Sequence, residues 1–391
     1  MSVPEVEPFR VAVPEDDLAE LQSRLKHTRW PLDLGNEDWS YGVERGWLED
    51  LVAYWRDEYD WRQQERAINA FPQFIVEIHG TPIHFIHVKG KGPNPKPLLL
   101  SHGWPWTFWD YKDVIGPLSD PAAYGGDPAD SFDVVVPSLP GAGFSMPLRT
   151  TGLGARRIAE MWHELMTSVL GYERYGAGGG DWGSIITGEI GHGFSDSLIG
   201  VWLTLPYIPG VNLRDLSAAD FADDEAWMWE QAMAARPTIM SHRTVHQIEP
   251  QTIAYALVDS PVGTAAWILG RRRDWGDHDG DVYSIFDRDF LCTTASIYWL
   301  NGSIGTSMRI YHEYFATGGP PPPRRTEQPA ITAPTAFAVF PKELLLLPRA
   351  WAERITNLAR WSTQPKGGHF AAAEQPELVV ADLQEFFRDL Y

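Results

Sequence analysis

Several features that would narrow the class of this protein are scarce or missing in its 391 residues. There is one cysteine, Cys292, which excludes an internal disulfide framework and is typical of a reducing compartment such as the cytoplasm. Long apolar runs are missing too. The longest, over residues 197–213, is interrupted by Pro206 and Pro209, so we predict no membrane span. The first seven residues contain acids and no apolar stretch, and we therefore expect no secretory signal.

Positive charge is also in short supply. The sequence has 32 lysine and arginine residues against 52 aspartate and glutamate residues, which is a formal net charge of −20. Phosphate backbones and anionic lipid surfaces bind basic patches, so we expect neither nucleic acid nor a membrane as a partner. What the sequence does have is apolar material, 44% of its residues with 18 tryptophans among them, which is enough to bury a sizeable core.

The N-terminal segment, residues 1–72, has helical periodicity and is predicted to form a helical meander. Two helices are expected there, and their apolar faces are Leu18, Leu21 and Leu25 in the first and Trp47, Leu51, Tyr54 and Trp55 in the second. Strand character begins at residues 71–79, and a turn at Gly80-Thr-Pro82 leads into a hairpin partner over residues 83–88.

From Pro97 onward, short buried strands alternate with helices, which is the pattern of a mostly parallel sheet with helices on both faces. The predicted strands cover residues 98–100, 132–136, 198–205 and 335–340, and the predicted helices include 158–170 and 376–391. Residues 211–317 break this rhythm with acidic helical runs and aromatic clusters, and a proline-rich segment at 318–323 follows them. The sequence therefore predicts an α/β core, residues 73–210 and 318–391, with a helical insertion at 211–317.

One short segment, Gly179-Gly-Asp-Trp-Gly183, follows a predicted buried strand and opens a predicted helix. Its glycine spacing is typical of a nucleophile elbow, a strained strand-to-helix turn that presents one side chain at the edge of a parallel sheet. The presented residue would be Asp181, a carboxylate that is charged at neutral pH and can attack a saturated carbon without a base. The alternative for this motif alone is a glycine-rich turn with an aspartate helix cap.

An ester formed on Asp181 would have to be hydrolysed, and that step needs a base. His369 lies in a predicted loop before the final helix, and the order along the chain in elbow folds is nucleophile, acid, histidine. Glu343 follows the predicted strand at 335–340, where the acid should lie, and it would fix the imidazole tautomer and stabilise the imidazolium. Taken alone, His369 is more typical of a loop residue and Glu343 of a solvated one.

Ester hydrolysis passes through an oxyanion, which needs backbone N–H donors directed at it. The N–H of Trp182, the residue after the nucleophile, is one expected donor. The second should follow an early strand, and we assign it to Trp104 in the segment Ser101-His-Gly-Trp-Pro105, where a cis bond before the proline would direct it. The alternative for this segment is an ordinary turn between a strand and a helix.

Four separated motifs occur in order along the chain: His102-Gly-Trp-Pro105, Gly141-Ala-Gly-Phe-Ser145, Gly179-Gly-Asp-Trp-Gly183 and Gly367-Gly-His369. In this combination the sequence resembles the epoxide hydrolases of the α/β-hydrolase superfamily, in particular the microsomal-type branch with an N-terminal meander. The resemblance covers essentially the whole chain. It implies an α/β-hydrolase fold in which residues 211–317 form a lid over Asp181. It also implies an enzyme that uses neither a metal nor an organic cofactor.

The resemblance further implies what the enzyme acts on and in which form. Its partners would be an epoxide and water, and any assembly would be a homodimer. No counterpart of the membrane anchor of the mammalian members is found, so we expect a soluble, bacterial-style form. The tryptophan-rich sequence favours an aryl or otherwise bulky epoxide, and an intermediate of natural-product biosynthesis is one such substrate class. The expected pocket residues are Trp106, Trp109 and Trp229.

In this family two lid residues, usually tyrosines, bind and protonate the epoxide oxygen. A phenol suits this role because it donates while neutral. The family pattern places one at Tyr311 and the other at His242, which departs from the usual tyrosine. His246 and Tyr255 stay open as alternatives to His242, and Tyr298 is expected to be a packing residue.

Two other functions fit the same elbow. A haloalkane dehalogenase also uses an elbow aspartate, but it needs halide-binding indoles rather than an acid such as Tyr311. A catalytically silent receptor on the same fold would have no use for an ester-hydrolysing base. A metal site at His79, His84 and His87 is not expected, because these residues lie across a hairpin turn with no acidic or cysteine partner.

Overall fold

The structure, a computed structural model, describes residues 4–315, 322–324 and 326–390. Its strands, β1 to β9 in chain order, span Val6–Phe9, Gln73–Ile78, Thr81–Val88, Lys96–Ser101, Phe132–Pro137, Tyr175–Gly179, Leu198–Leu203, Ile331–Val339 and Thr356–Thr363. They form one sheet in the order β1-β2-β3-β5-β4-β6-β7-β8-β9. The strands from β4 to β9 are parallel, and β1 to β3 add an antiparallel edge. The predicted mostly parallel α/β sheet is confirmed.

The remaining regular structure is helical. The helices, α1 to α15 in chain order, span Glu15–Lys26, Arg45–Asp57, Trp61–Ile68, Lys112–Ser119, Ala155–Glu164, Trp182–Phe194, Ala226–Ile248, Pro250–Asp259, Pro261–Trp275, Arg288–Leu300, Ser303–Ser307, Arg309–Phe315, Arg349–Ile355, Ala371–Glu374 and Pro376–Arg388. Helices cover both faces of the sheet, and the middle strands β5, β6 and β7 are accordingly buried at every residue.

The N-terminal segment contributes a strand as well as helices. Both helices predicted there are present, and their buried residues include Leu21 and Leu25 in α1 and Leu51 and Trp55 in α2. The strand β1 was not predicted; it pairs antiparallel with β2 at the edge of the sheet. A strand of four residues with two exposed side chains has too short a pattern to be found from sequence periodicity.

Helices α7 to α12 form the insertion between β7 and β8. The N-terminal segment packs on it, because Trp55 donates from its indole to Ser296 at 3.1 Å and Tyr54 donates to Asp289 at 2.8 Å. The predicted end of the insertion at residues 317 and 318 lies outside the described residues.

Among the described residues, no single helix is long and apolar enough to span a membrane. Only α8 and α9 taken together are long and apolar enough, and the angle between these two described helices is 119°.

A buried ion pair fastens this insertion to the core. Arg272, in α9, is fully buried and binds Asp110 through two nitrogen–oxygen contacts of 2.6 and 3.0 Å. The same guanidinium donates to the carbonyl of Pro105 at 3.3 Å and lies 3.9 Å from the centre of the Phe370 ring. A buried charge is costly unless it is paired, so Arg272 stays with Asp110. Its contacts join α9 to the loop after β4, which contains Pro105, and to the loop that contains Phe370.

Candidate active site

The turn between β6 and α6 is a strained elbow with Asp181 at its tip. Asp181 has φ 52° and ψ −126°, a positive φ that residues other than glycine rarely adopt. A Cβ at Gly179 would lie 2.5 Å from the carbonyl carbon of Gly183, and one at Gly183 would lie 1.8 Å from the carbonyl oxygen of Ser101. Within the described residues, the Asp181 carboxylate makes no capping bond to α6. The geometry is therefore that of an elbow rather than that of a helix cap.

His369 and Glu343 lie beside this carboxylate in the order that the elbow requires. His369 Nδ1 is 2.6 Å from Glu343 Oε1, and His369 Nε2 is 3.3 Å from Asp181 Oδ2. The side chains of His369 and Glu343 are fully buried, whereas 16% of the Asp181 side chain is exposed. Glu343 follows β8, and the N–H of Leu344 donates to the same Oε1 at 2.6 Å. The structure thus brings all three predicted residues together.

The charges of the two carboxylates set the protonation of His369. Burial works against a charged imidazole, but Glu343 and Asp181 outweigh it and raise the pKa of His369 to about 10. The imidazole is therefore protonated at neutral pH. The contact to Asp181 is close enough for this effect but poorly aligned, and within the described chain Nε2 has no well-oriented hydrogen-bond partner. That nitrogen is available to bind a water molecule.

One of the two expected oxyanion donors points at Asp181. The N–H of Trp104 donates to Asp181 Oδ1 at 2.7 Å, and the Trp104–Pro105 peptide bond is cis. The side chain of His102 supports this loop, because Nδ1 contacts the carbonyl of Gly103 at 2.9 Å and Nε2 accepts from the N–H of Leu139 at 3.1 Å. Trp182 is the first residue of α6, so its N–H has no acceptor within the helix, and its role as second donor stays a prediction.

The two predicted lid donors lie together above the elbow. Tyr311 and His242 are buried, and the phenol oxygen is 3.1 Å from His242 Nε2. The Tyr311 ring also packs edge-on against Trp182 at 4.7 Å, and the His242 ring stacks on Trp104 at 5.1 Å. Both residues therefore contact the neighbours of Asp181 rather than the outer surface of the lid.

The protonation of this pair is set mainly by burial. Burial and the nearby Asp181 charge raise the pKa of Tyr311 well above its usual value, so the phenol keeps its proton. Burial lowers the pKa of His242 well below its usual value, and the neighbouring His246 and Arg271 lower it further, so the imidazole is neutral. One proton then lies between the two side chains, and either the phenol O–H or an imidazole N–H is left to donate elsewhere.

The alternatives to His242 separate clearly in the structure. Tyr255 lies on α8 and is 74% exposed, whereas Tyr311 and His242 are buried. His246 is buried near Trp104 and Tyr311, with ring centroids 4.5 and 4.9 Å away, and its Nε2 accepts from the indole N–H of Trp267 at 3.0 Å. Tyr298 donates to the carbonyl of Trp106 at 2.7 Å, the contact expected of a packing residue.

The predicted pocket tryptophans lie in different places. Trp106 is buried with its ring edge-on to His369 at 5.8 Å, so it borders the site. Trp109 packs on Phe71 at 6.0 Å, beside the start of β2. Trp229 contacts Phe221 at 5.9 Å, outside the group of rings around Asp181. Of these three residues, only Trp106 has a ring contact with the triad. The other two were predicted from aromatic spacing, which does not show which side of an element a ring faces.

Comparisons with known proteins agree with this geometry. Residues 6–111 match the model of the epoxide hydrolase N-terminus family. A protein of Stigmatella aurantiaca with a provisional epoxide hydrolase name is 39% identical over 389 residues, which cover 98% of this chain and 85% of that protein. Epoxide hydrolase 1 of Oryctolagus cuniculus is 32% identical over 404 residues, which cover 97% of this chain and 88% of the relative. The chain belongs to the epoxide hydrolase family.

Solved structures of epoxide hydrolases have the same fold. The crystal structure of juvenile hormone epoxide hydrolase from Bombyx mori superposes with a TM-score of 0.87 at 26% identity, covering 99% of this chain and 95% of that one. The predicted resemblance, the α/β-hydrolase fold and the identification as an enzyme that hydrolyses epoxides are therefore confirmed.

Sequence reasoning missed three residues that this epoxide hydrolase uses to build its site. Arg272 and Asp110 form the buried pair described above, and Glu374 accepts hydrogen bonds from the loop that contains His369. Arg272 and Asp110 are 162 positions apart, so no local spacing could have joined them. Glu374 lies five residues after His369, a short separation that could have drawn attention to it.

The contact between Glu343 and His369 leads to a kinetic prediction for this epoxide hydrolase. Glu343→Gln should slow ester hydrolysis by roughly two to four orders of magnitude and change ester formation much less, because only the second step uses the base. Single-turnover kinetics with mass detection separate the two steps. Asp281→Asn is the control, since Asp281 is an exposed residue that caps a short helix away from His369. Unchanged ester hydrolysis in Glu343→Gln would show that the supporting acid lies elsewhere.

Proposed function

We propose that this epoxide hydrolase converts its substrate to a vicinal diol through a covalent ester on Asp181. The observation that carries the proposal is that two groups, the N–H of Trp104 and the imidazole of His369, lie against the two oxygens of the Asp181 carboxylate. The N–H of Trp104 binds Oδ1 at 2.7 Å, and His369 Nε2 lies 3.3 Å from Oδ2. A carboxylate between an oxyanion donor and a base has what is needed both to form an ester and to lose it.

In the first step, Oδ2 of Asp181 attacks an epoxide carbon while Oδ1 stays bound to Trp104. A carbon–oxygen bond forms to the carboxylate and a carbon–oxygen bond of the epoxide breaks. The electron pair of the broken bond goes to the epoxide oxygen, which takes a proton from Tyr311 with His242 at the other side of the phenol. The phenol is suited to this because its raised pKa keeps the proton on it until negative charge develops on the substrate.

In the second step, water hydrolyses the ester. The ester has no negative charge, so His369 loses one of the two carboxylates that raise its pKa, and the imidazolium gives up its proton, which restores the phenol of Tyr311. Neutral His369 then takes a proton from the water that attacks the ester carbonyl. The oxyanion receives hydrogen bonds from the N–H groups of Trp104 and Trp182. Its collapse breaks the bond between the acyl carbon and the alcohol oxygen, and the leaving oxygen takes the proton held by His369 to give the diol. The Asp181 carboxyl then passes its proton to His369, which restores the carboxylate and the imidazolium.

We propose an aryl or otherwise bulky apolar epoxide as the substrate. The support is the group of rings around Asp181 and His369, namely Trp104, Trp106, Trp275, His242, His246 and Tyr311. The Bombyx mori relative is named for an epoxide of juvenile hormone, which is consistent with a pocket for large substrates in this family. A natural-product intermediate, a cytoplasmic location and a homodimer stay predictions.

The test is to incubate the chain with styrene oxide and, separately, with 1-bromobutane, and to measure the diol and the halide released. We expect phenylethanediol from the first and no bromide from the second, with Asp181→Asn inactive in both. Steady bromide release without diol would overturn the proposal.

One observation favours the dehalogenase alternative enough to keep it in that test. The indole N–H groups of Trp104 and Trp106 are buried near the site and have no hydrogen-bond partner among the described residues. Indole donors of this kind could hold a halide ion. The lid pair argues for the epoxide, because a halide leaves without a proton and would not need the phenol of Tyr311.

A further inference from the structure

The loop that contains His369 has an unusual number of fixed backbone groups. The four consecutive N–H groups of residues 367–370 all donate to an acceptor. Gly367 donates to Asp277 Oδ2 at 2.7 Å, and His369 donates to the carbonyl of Trp275 at 3.0 Å. The two alternate N–H groups, of residues 368 and 370, donate to the carboxylate of Glu374 at 2.9 and 2.8 Å.

Glu374 also reaches the lid. Its Oε2 accepts the N–H of Asp277 at 2.8 Å, so one carboxylate joins the His369 loop to the segment that follows the lid helix α9. The docking is tight, because a Cβ at Gly368 would lie 2.6 Å from the carbonyl oxygen of Trp275 and 2.9 Å from the N–H nitrogen of Asp277. Glu374 is 8% exposed, and burial raises the pKa of its carboxyl to about 7. Glu374 makes these contacts with backbone N–H groups and not with Asp181 or the lid residues Tyr311 and His242.

We propose that Glu374 is a positioning residue that holds His369 in place for ester hydrolysis and joins the His369 loop to the lid. The proposal rests on the ester mechanism proposed above. It follows from the geometry, because residues 368 and 370, on either side of His369, are both bound by the same buried carboxylate. The orientation of the imidazole toward Asp181 and Glu343 therefore depends on the Glu374 carboxylate, although this carboxylate contacts none of the three side chains directly.

The sharpest variant is Glu374→Gln, which keeps the size of the side chain. Glutamine offers one carbonyl oxygen and an NH2 group, and that NH2 group would face one of the three backbone N–H donors that the carboxylate accepts. The loop must then shift, and a displacement of about 1 Å of a catalytic group can lower a rate by roughly a hundredfold. We expect ester hydrolysis to slow by about tenfold to a hundredfold and ester formation to change by less than about threefold.

The measurement is a single-turnover experiment with excess enzyme and styrene oxide, in which the ester on the Asp181 peptide is followed by mass spectrometry. Asp382→Asn is the matched control. Asp382, on α15, is also a buried carboxylate, but it accepts hydrogen bonds from Trp202 and Arg360 and not from the His369 loop. It should lower the thermal unfolding temperature without making the ester accumulate. Accumulation of ester in Glu374→Gln alone would support the positioning role.

Equal slowing of both steps in Glu374→Gln, or rates equal to wild type, would overturn the proposal. If that variant does not fold, Glu374→Asp decides, because it keeps the charge but its shorter side chain cannot reach all three N–H donors, of Asp277, Gly368 and Phe370. It should slow ester hydrolysis selectively, and wild-type kinetics would count against the proposal. Failure of the underlying mechanism looks different: then no ester would form in any variant, including His369→Gln.

Discussion

Replacing His369 with glutamine should let the ester on Asp181 form and slow its hydrolysis by roughly two to four orders of magnitude, the usual contribution of a general base. Attack on the epoxide needs no base, because the Asp181 carboxylate is already charged at neutral pH. Water, in contrast, must lose a proton to attack the ester, and the nitrogen 3.3 Å from Asp181 is the one that would take it. Mass spectrometry after incubation with excess styrene oxide should show an adduct on the peptide that contains Asp181.

The matched control is His163→Gln. His163 is a half-buried histidine of α5 that contacts Tyr175 and stacks on Phe194, away from the elbow. It should turn over substrate at close to the wild-type rate with no lasting adduct. An adduct on another residue in His369→Gln, or full turnover by that variant, would contradict the assignment of the nucleophile and the base.

The second large effect concerns the phenol of the lid. Tyr311→Phe should slow ester formation by roughly two orders of magnitude, because the epoxide oxygen then develops negative charge without its proton donor. Ester hydrolysis should change much less, since the phenol acts on the first step. The rate of ester formation in a single turnover is the quantity to measure. Tyr298→Phe is the control, because it removes a buried phenol that donates to a backbone carbonyl instead. Equal rates in Tyr311→Phe and wild type would contradict the proton-donor role.

The partner of Tyr311 can be tested by two substitutions at one position. His242→Tyr should keep most of the rate of ester formation, because a phenol can replace the imidazole as a donor, and His242→Phe should lose most of it. Burial lowers the pKa of His242 well below the usual value, so it should act as a neutral donor. The pH profile between 6 and 8 should then show no ionisation from this residue. If His242→Phe is as fast as wild type, His242 is a packing residue and His246 becomes the next candidate.

The residues that carry the chemistry could be predicted because each follows a strand. Asp181 comes after β6, Glu343 after β8 and Trp104 after β4, and the carboxyl ends of parallel strands meet at one edge of the sheet. That rule joins residues 162 positions apart in the sequence without any knowledge of packing. The central part of the fold, Asp181 and Glu343 were within reach of the sequence for this reason, whereas His369 was assigned from the order nucleophile, acid, histidine along the chain.

Packing across the lid was not within reach. Trp109 and Trp229 looked like pocket residues, yet the structure places them against Phe71 and Phe221. Which side of an element a ring faces depends on tertiary contacts that no local pattern contains. The same holds for Glu374. It accepts hydrogen bonds from backbone N–H groups, which almost every residue has, so the residue types of its partners do not reveal the contact.

The ester on Asp181 is the central claim, and a single turnover in oxygen-18 water tests it most directly. With enzyme in excess over styrene oxide, the oxygen that opens the epoxide comes from the Asp181 carboxylate, and water attacks only the ester carbonyl. The diol of the first turnover should therefore contain no label, and the label should appear in the peptide that contains Asp181. A labelled diol with an unlabelled Asp181 would mean that water attacks the epoxide directly, and it would contradict the mechanism.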